Sequence, residues 1–231
     1  MSHTRILQLT DLHLFCDETS TLKGIPTRRT LRDVVEFIQQ NEAPFDHVVI
    51  TGDHTHDELT ESYTTVRDIL TPWLDRLSIV PGNHDDRNVM RAVLRDVIER
   101  QSSPDVPDDD RITFSFRCGP WQCLGLDTHL PGEVPGQLGS VQADWLRRRL
   151  TDHGSDPAIL FFHHPPVDVG SVWMDAIGLQ DRQLLLDVVS DFPGVKLICC
   201  GHVHHEFEGT TGSARVVTSP STGLQFDPRG T

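Results

Sequence analysis

The sequence predicts an α/β fold. Short apolar runs rich in β-branched residues recur along the chain, and segments with apolar residues at helical spacing alternate with them. Asp, Asn and His residues stand directly after the apolar runs. Alternation of this kind builds a largely parallel or mixed sheet, whose ligands bind beyond the carboxyl ends of the strands. With 231 residues, 37% of them hydrophobic, the chain can bury a substantial core, and a single domain over residues 1–231 is expected.

Arg5-Ile6-Leu7-Gln8-Leu9 reads as the first strand and ends at Thr10-Asp11. Residues 30–39 carry Leu31, Val34, Val35 and Ile38 on one helical face. His47-Val48-Val49-Ile50 is a buried-type strand. Residues 58–70 form a helix that Thr71-Pro72 stops. Leu77-Ser78-Ile79-Val80 is a strand closed by Pro81-Gly82. Residues 87–100 read as one amphipathic helix, and the Pro- and Asp-rich residues 102–110 as an exposed loop. Residues 111–117 and 121–126 are two strands separated by Cys118-Gly119-Pro120. Residues 140–150 form a helix, with Arg147, Arg148 and Arg149 near its C-terminus as a solvated face. Strands at 158–162, 195–200 and 215–218 and a helix at 181–190 complete the pattern.

The formal charge is −14, which argues against a nucleic-acid-binding surface built from clustered Lys and Arg. An acidic protein can still handle phosphate where bound cations reverse the local field. No apolar run approaches the roughly 20 residues that span a bilayer. The N-terminus enters a strand directly and lacks a signal-peptide layout, so a cytoplasmic location is expected. Five cysteines without CxxC spacing give no disulfide framework or zinc knuckle; Cys199 and Cys200 read as small buried hydrophobes.

The residues after the strands form a pattern. Asp11-Leu12-His13 follows the first. In extended chain, positions i and i+2 share a face, so one carboxylate and one imidazole can reach the same ion. Gly52-Asp53 follows the second; glycine lets the backbone turn and approach a ligand, and the two oxygens of Asp53 can bridge two cations. Gly82-Asn83-His84-Asp85 offers a neutral amide oxygen and an imidazole free to face substrate. His163-His164-Pro165-Pro166 and Gly201-His202-Val203-His204 supply further imidazoles. Mixed oxygen and nitrogen donors at successive strand ends are what a two-metal hydrolytic centre requires.

These five blocks resemble the calcineurin-like metallophosphoesterase superfamily, over residues 5 to about 205. Residues 81–86, 162–166, 171–175 and 192–196, and above all the tail Thr218-Ser219-Pro220-Ser221-Thr222-Gly223-Leu224-Gln225-Phe226, are similar to its class III cyclic-nucleotide phosphodiesterase branch. The resemblance implies a four-layer α-β-β-α sandwich of two mixed sheets flanked by helices. It implies two divalent cations, Fe, Mn, Co or Zn, one on Asp11, His13, Asp53 and His204 and the other on Asp53, Asn83, His163 and His202. It implies hydrolysis of 3′,5′-cyclic AMP to 5′-AMP by water activated between the cations, with Asp53, Asn83 and His84 catalytic. His84, Asn83, His164 and His204 would face the substrate.

The chain stops soon after Phe226, where relatives in this branch usually continue with further strands; a homodimer is left open. His54 and His56 follow Gly52-Asp53, where the family commonly has an apolar residue. They are either donors behind the ligands or solvent-facing. His205 is expected at the surface, and Phe15, Trp173 and Met174 lie in loops near the implied metal face. The alternative activity is a broad phosphodiesterase acting on glycerophosphodiesters or other small diesters. A non-catalytic scaffold would have lost ligands, and a nuclease would need a basic cleft.

Overall fold

The computed structural model describes residues 4–42, 44–102, 110–152 and 154–228. The elements run β1 (Ile6–Leu9), α1 (Thr27–Asn41), β2 (His47–Thr51), α2 (Thr60–Ile69), a 3₁₀ turn (Thr71–Arg76), β3 (Leu77–Val80), α3 (Arg87–Val93), α4 (Arg95–Gln101), β4 (Phe114–Cys118), β5 (Trp121–Gly125), α5 (Ser140–Asp152), β6 (Ala158–Phe161), α6 (Val172–Asp175), α7 (Arg182–Asp191), β7 (Val195–Cys200), β8 (Phe207–Thr211) and β9 (Ala214–Thr218). Most of the expected loop at 102–110, together with His3 and His153, lies outside the described residues.

Two sheets form. One is β1-β2-β3; the other is β4-β5-β6-β7-β9-β8. The larger sheet is mixed, with parallel pairing from β5 to β9 and antiparallel β4 and β8 at its edges. The smaller sheet is wholly parallel rather than mixed, because each of its connections runs through a helical crossover.

Strand alternation assigns side chains to layers. In β2, Val48 and Ile50 face a core shared with Leu31 and Val35 of α1, Val66 of α2 and Val97 of α4. Val49 points the other way and packs with Val80, Phe114, Cys123, Phe161 and Cys199 between the sheets. Leu160, Ile198 and Cys200 face a third core built with Trp145 and Leu146 of α5 and Leu185 and Val188 of α7. The order helix, sheet, sheet, helix is the expected four-layer sandwich. Each fully buried Leu, Ile or Phe in these layers contributes roughly 1.5–3 kcal/mol. The cysteines are free, and four of the five are buried, as small hydrophobes in a core should be.

Three local features differ from the sequence pattern. The helix expected over 87–100 is two helices, broken at Leu94 (φ −104°, ψ 27°); Asp86 caps the first by accepting from Asn88 and Val89 N–H at 2.7 and 2.9 Å. β8 was not expected, since Phe-Glu-Gly-Thr-Thr alternates between half-buried and exposed and never forms an apolar run. The single turn α6 is too short for a period to register. No described helix is long and apolar enough to cross a membrane.

The free edge of β3 is covered by side chains rather than by another strand. Gln101 Oε1 accepts from Ile79 N–H (2.8 Å) and its Nε2 donates to the Ile79 carbonyl (2.9 Å), as a neighbouring peptide would. Arg100 donates to the Leu77 carbonyl at 2.8 Å. Gln101→Leu removes both bonds to Ile79 and the one that Gln101 donates to the Thr113 carbonyl (3.3 Å), so stability should fall by at least ~1–3 kcal/mol. Urea unfolding checks this: the midpoint should drop with the slope unchanged, and an unmoved midpoint would refute the role assigned to Gln101.

Candidate metal centre

The strand ends of both sheets meet along one line. Beyond β1 and β2 the loops keep pairing: Asp11 N–H donates to the Gly52 carbonyl (3.1 Å), His13 N–H to the Asp53 carbonyl (2.9 Å) and Leu14 N–H to the His54 carbonyl (3.2 Å). Gly201 N–H donates to the His163 carbonyl at 3.0 Å. Gln8 Nε2 ties the two sheets together through the Cys200 carbonyl, at 3.1 Å.

Among the described residues seven non-glycines have positive φ, and five of them are expected ligands: Asp11 (54°), His13 (46°), Asp53 (52°), His202 (72°) and His204 (53°). The left-handed region costs a non-glycine residue ~1–3 kcal/mol, and persists where the surroundings over-determine it. This corrects the expectation that Asp11 and His13, and likewise His202 and His204, share a face because the chain is extended. Left-handed residues do it instead, in loops that must turn while staying hydrogen-bonded to each other. The crowding is close. A Cβ at Gly52 (φ +98°) would lie 2.5 Å from His163 Nδ1, and one at Gly201 would lie 2.0 Å from Thr10 Oγ1 and 2.9 Å from Asp11 Oδ2.

Two donor sets result, sharing Asp53. Asp11, His13, Asp53 and His204 bring one donor atom each to within 4.8 Å of the others. His204 Nε2 lies 3.3 Å from Asp11 Oδ1, and His13 Nε2 lies 3.4 Å from Asp53 Oδ2. On the other side, the second oxygen of Asp53, Oδ1, lies 3.4 Å from His163 Nε2. Asn83 Oδ1 is met there by His163 Nε2 at 3.2 Å and His202 Nδ1 at 3.0 Å. All except Asn83, which is half-buried, are buried.

Hydrogen bonds on the far side of the rings set the tautomers. His163 Nδ1–H donates to the Thr51 carbonyl and His204 Nδ1–H to the Leu224 carbonyl, both at 2.7 Å. When neutral, these rings turn their Nε2 lone pairs inward. His13 and His204 present their Nε2 atoms 3.0 Å apart, an arrangement that needs a proton or a cation between them. His202 Nε2 is buried with no partner. Burial alone would raise both carboxyls, but His204 brings Asp11 down to about 2, and His163 and then His13 hold Asp53 well below its ordinary value. Burial would lower His163, yet Asp53 raises it to about 9; burial and the neighbouring His163 press His202 down to about 3. Protons and cations compete for such atoms. Four imidazoles, two carboxylates and an amide oxygen in two sets around one carboxylate fit two divalent cations.

The calcineurin-like phosphoesterase family matches residues 4–206, which takes in every one of these donors. The chain belongs to the calcineurin-like phosphoesterase family. It is 35% identical over 223 residues to a Pseudomonas aeruginosa protein named 3′,5′-cyclic adenosine monophosphate phosphodiesterase CpdA, covering 96% of this chain and 78% of that one. It is 32% identical over 227 residues to the Escherichia coli K12 protein of the same name, covering 98% and 79%. In three dimensions it is similar to a dimetal phosphatase from Danio rerio, with a TM-score of 0.74 at 16% identity over 96% of this chain and 88% of the other.

Within this phosphoesterase site the structure also places residues that the sequence pattern left open or misplaced. His164 does not face the open cleft. It is fully buried, accepting at Nδ1 from the Thr128 hydroxyl (2.8 Å) and donating from Nε2 to the Val134 carbonyl (3.0 Å). Both ring nitrogens are spent on the loop after β5, which corrects the expected contact with substrate. His205 is buried rather than at the surface, and its Nδ1 pairs with the Val203 carbonyl at 2.7 Å. His54 is a donor behind the ligands: its ring and backbone N–H both meet the Asp85 carboxylate, at 2.9 and 3.1 Å. Phe15 packs on His56, with ring centroids 4.8 Å apart.

Tyr63 was missed. Its hydroxyl donates to Asp85 (3.0 Å) and accepts from Asp86 N–H (2.8 Å), bracing the loop that carries Asn83 and His84. The only hint was a tyrosine at a buried helical position. Asp127, which clamps Arg87 in a bidentate pair at 2.8 and 2.9 Å, follows β5 closely and could have been suspected on that ground. The tail folds onto the site as well. Ser221 Oγ donates to the Asp11 carbonyl (2.7 Å), and the Phe226 ring stacks on His204 with centroids 4.3 Å apart.

Gly201→Ala pushes a methyl group into Thr10 and Asp11. Cation affinity should fall by at least the ~10–100-fold typical of lesions behind the ligands. Calorimetric titration with Mn²⁺ or Zn²⁺ measures this, and wild-type affinity would contradict such close packing around Gly201.

Proposed function

We propose that this chain hydrolyses 3′,5′-cyclic AMP to 5′-AMP, using Asp11, His13, Asp53, Asn83, His163, His202 and His204 to hold two divalent cations. The observation that carries the reading is the Asp53 carboxylate, which turns one oxygen to each donor set and also accepts the His84 backbone N–H at 2.9 Å. Two divalent cations held by these seven residues would supply Lewis acidity to the phosphoryl oxygens and lower the pKa of an attacking water. The chain's own residues do the remainder. Asp53 fixes the spacing of the two halves and anchors the backbone of the proton donor. Asn83 contributes a neutral oxygen, so the site stays attractive to an anionic diester. His84 lines the cleft and gives a proton to the departing 3′ oxygen, which would otherwise leave as an unstable alkoxide.

The cleft of about 200 Å³ is walled on one side by Trp173, Met174, Leu224 and Phe226. Trp173 meets Phe226 edge-on at 5.2 Å, and Phe226 lies flat on His204. An apolar aromatic wall beside the donor atoms suits a purine ring, which gains from stacking. The names of the relatives support the same substrate. We place the activity in the cytoplasm, in keeping with five free thiols. The metals are drawn from Fe, Mn, Co and Zn according to supply.

Metal analysis paired with a substrate panel tests the reading. Cyclic AMP should be turned over better than glycerophosphocholine and bis(p-nitrophenyl) phosphate; if it is the poorest of the three, the broad phosphodiesterase takes its place. His84→Ala should keep both metals while turnover falls by ~10²–10⁴-fold, the range for losing a general acid. Asn83→Ala should instead lose metal and recover partly when metal is added in excess. An active His84→Ala, or an Asn83→Ala that added metal cannot restore, would reverse these assignments.

A further inference from the structure

We infer that His56 is a positioning residue that sets the attitude of the His84 ring, an inference that rests on the role proposed for His84 above. The backbone of His84 is held by Asp53, but no described residue hydrogen-bonds its ring. Two other rings confine it. His56 stacks on it with centroids 4.7 Å apart and planes 21° apart, and His13 meets it edge-on at 5.0 Å and 75°. His13 is fixed as an expected ligand. Among the described residues His56 is the one neighbour in face-to-face contact.

His56 is itself held firmly. Its N–H donates to the Leu14 carbonyl at 2.8 Å, and Thr55 before it bridges to Leu14. Asp57 after it accepts from Cys16 N–H at 2.8 Å and from Ser62 Oγ at 2.5 Å. Phe15 supports the ring at 4.8 Å, and its Nδ1 lies 3.4 Å from His13 Nδ1. A half-buried imidazole gains little from packing in a polar loop of this kind. Every ring it touches except Phe15 belongs to the site. His56 therefore links a metal ligand to the proton donor: His13 on its edge, His84 on its face.

A proton donor must be aimed, and a misplaced one is penalised in proportion to how much the leaving group needs the proton. An alkoxide such as the ribose 3′ oxygen needs it; p-nitrophenolate does not. His56→Ala should therefore lower kcat ~10–100-fold on cyclic AMP and glycerophosphocholine, with KM within about twofold, and leave bis(p-nitrophenyl) phosphate nearly unaffected. His56→Phe keeps a flat ring and should restore most of the loss. His56→Gln has an amide but no ring and should not. Metal per chain should match wild type in all three. A readout independent of turnover is the His84 ring-proton shift by NMR, in both metal-free and zinc-loaded protein. It should be upfield in wild type and His56→Phe, and relaxed in His56→Ala and His56→Gln. Equal losses on alkyl and aryl substrates, an unchanged His84 shift in His56→Ala, or failure of His56→Phe to restore activity would overturn the inference. A wild type that hydrolyses glycerophosphocholine but not cyclic AMP would end the substrate reading alone, since the alkyl-to-aryl comparison still tests His56.

Discussion

Burying two carboxylates side by side is the constraint from which the rest of this site follows. Removing a carboxylate from water costs several kcal/mol unless opposite charge and hydrogen bonds offset it. Asp11 and Asp53 are both essentially inaccessible. Asp11 is met by the His202 backbone N–H and by His204; Asp53 is met by the His84 backbone N–H, His13 and His163. These partners come from several different loops and both sheets. Neither sheet alone could bury the charge, so the two sheets must end on the same line.

That requirement explains where the backbone is strained. Five expected ligands adopt left-handed conformations that only glycine adopts freely. The strain is sustained because the loops are paired through their backbones and packed against glycines with no room for a methyl group. A looser scaffold would relax these residues and scatter the donor atoms. The strained backbone and the buried charge are thus two sides of one arrangement: the charge needs many partners at short range, and the turns deliver them.

Much of this was legible in the sequence because it depends on local pattern. Apolar runs marked eight of the nine strands among the described residues, and the residues after them named the seven donors. What escaped is set by tertiary contact. The left-handed turns at Asp11 and His202 leave no period, and extended chain was the natural reading of two alternating ligands. His164 looked like a rim residue, since nothing local announces that Thr128 and Val134 will occupy its ring. Tyr63 is distant in sequence from Asn83 and reaches Asp85 only because α2 packs beside the loop. β8 pairs along its length with β9 yet buries little, so its ladder comes from hydrogen bonds that residue type does not reveal.

Charge bears on the kind of phosphate that the proposed reading needs. The chain carries 34 acidic against 20 basic residues, so its surface repels polyanions. With two divalent cations held by these residues the balance inside the cleft would reverse: four positive charges would face the two carboxylates, and Asn83 adds none. Screening confines that local field to about 8 Å at physiological ionic strength. The single charge of a small monoanionic diester would lie within that distance. A polynucleotide would have to lay many phosphates on a protein of net charge −14. Phe226 stacks on His204 and, with Trp173, Met174 and Leu224, walls one side of the cleft. The tail that resembled the cyclic-nucleotide branch in the sequence is therefore part of the cleft wall, so a substrate held at these donors would meet Leu224 and Phe226.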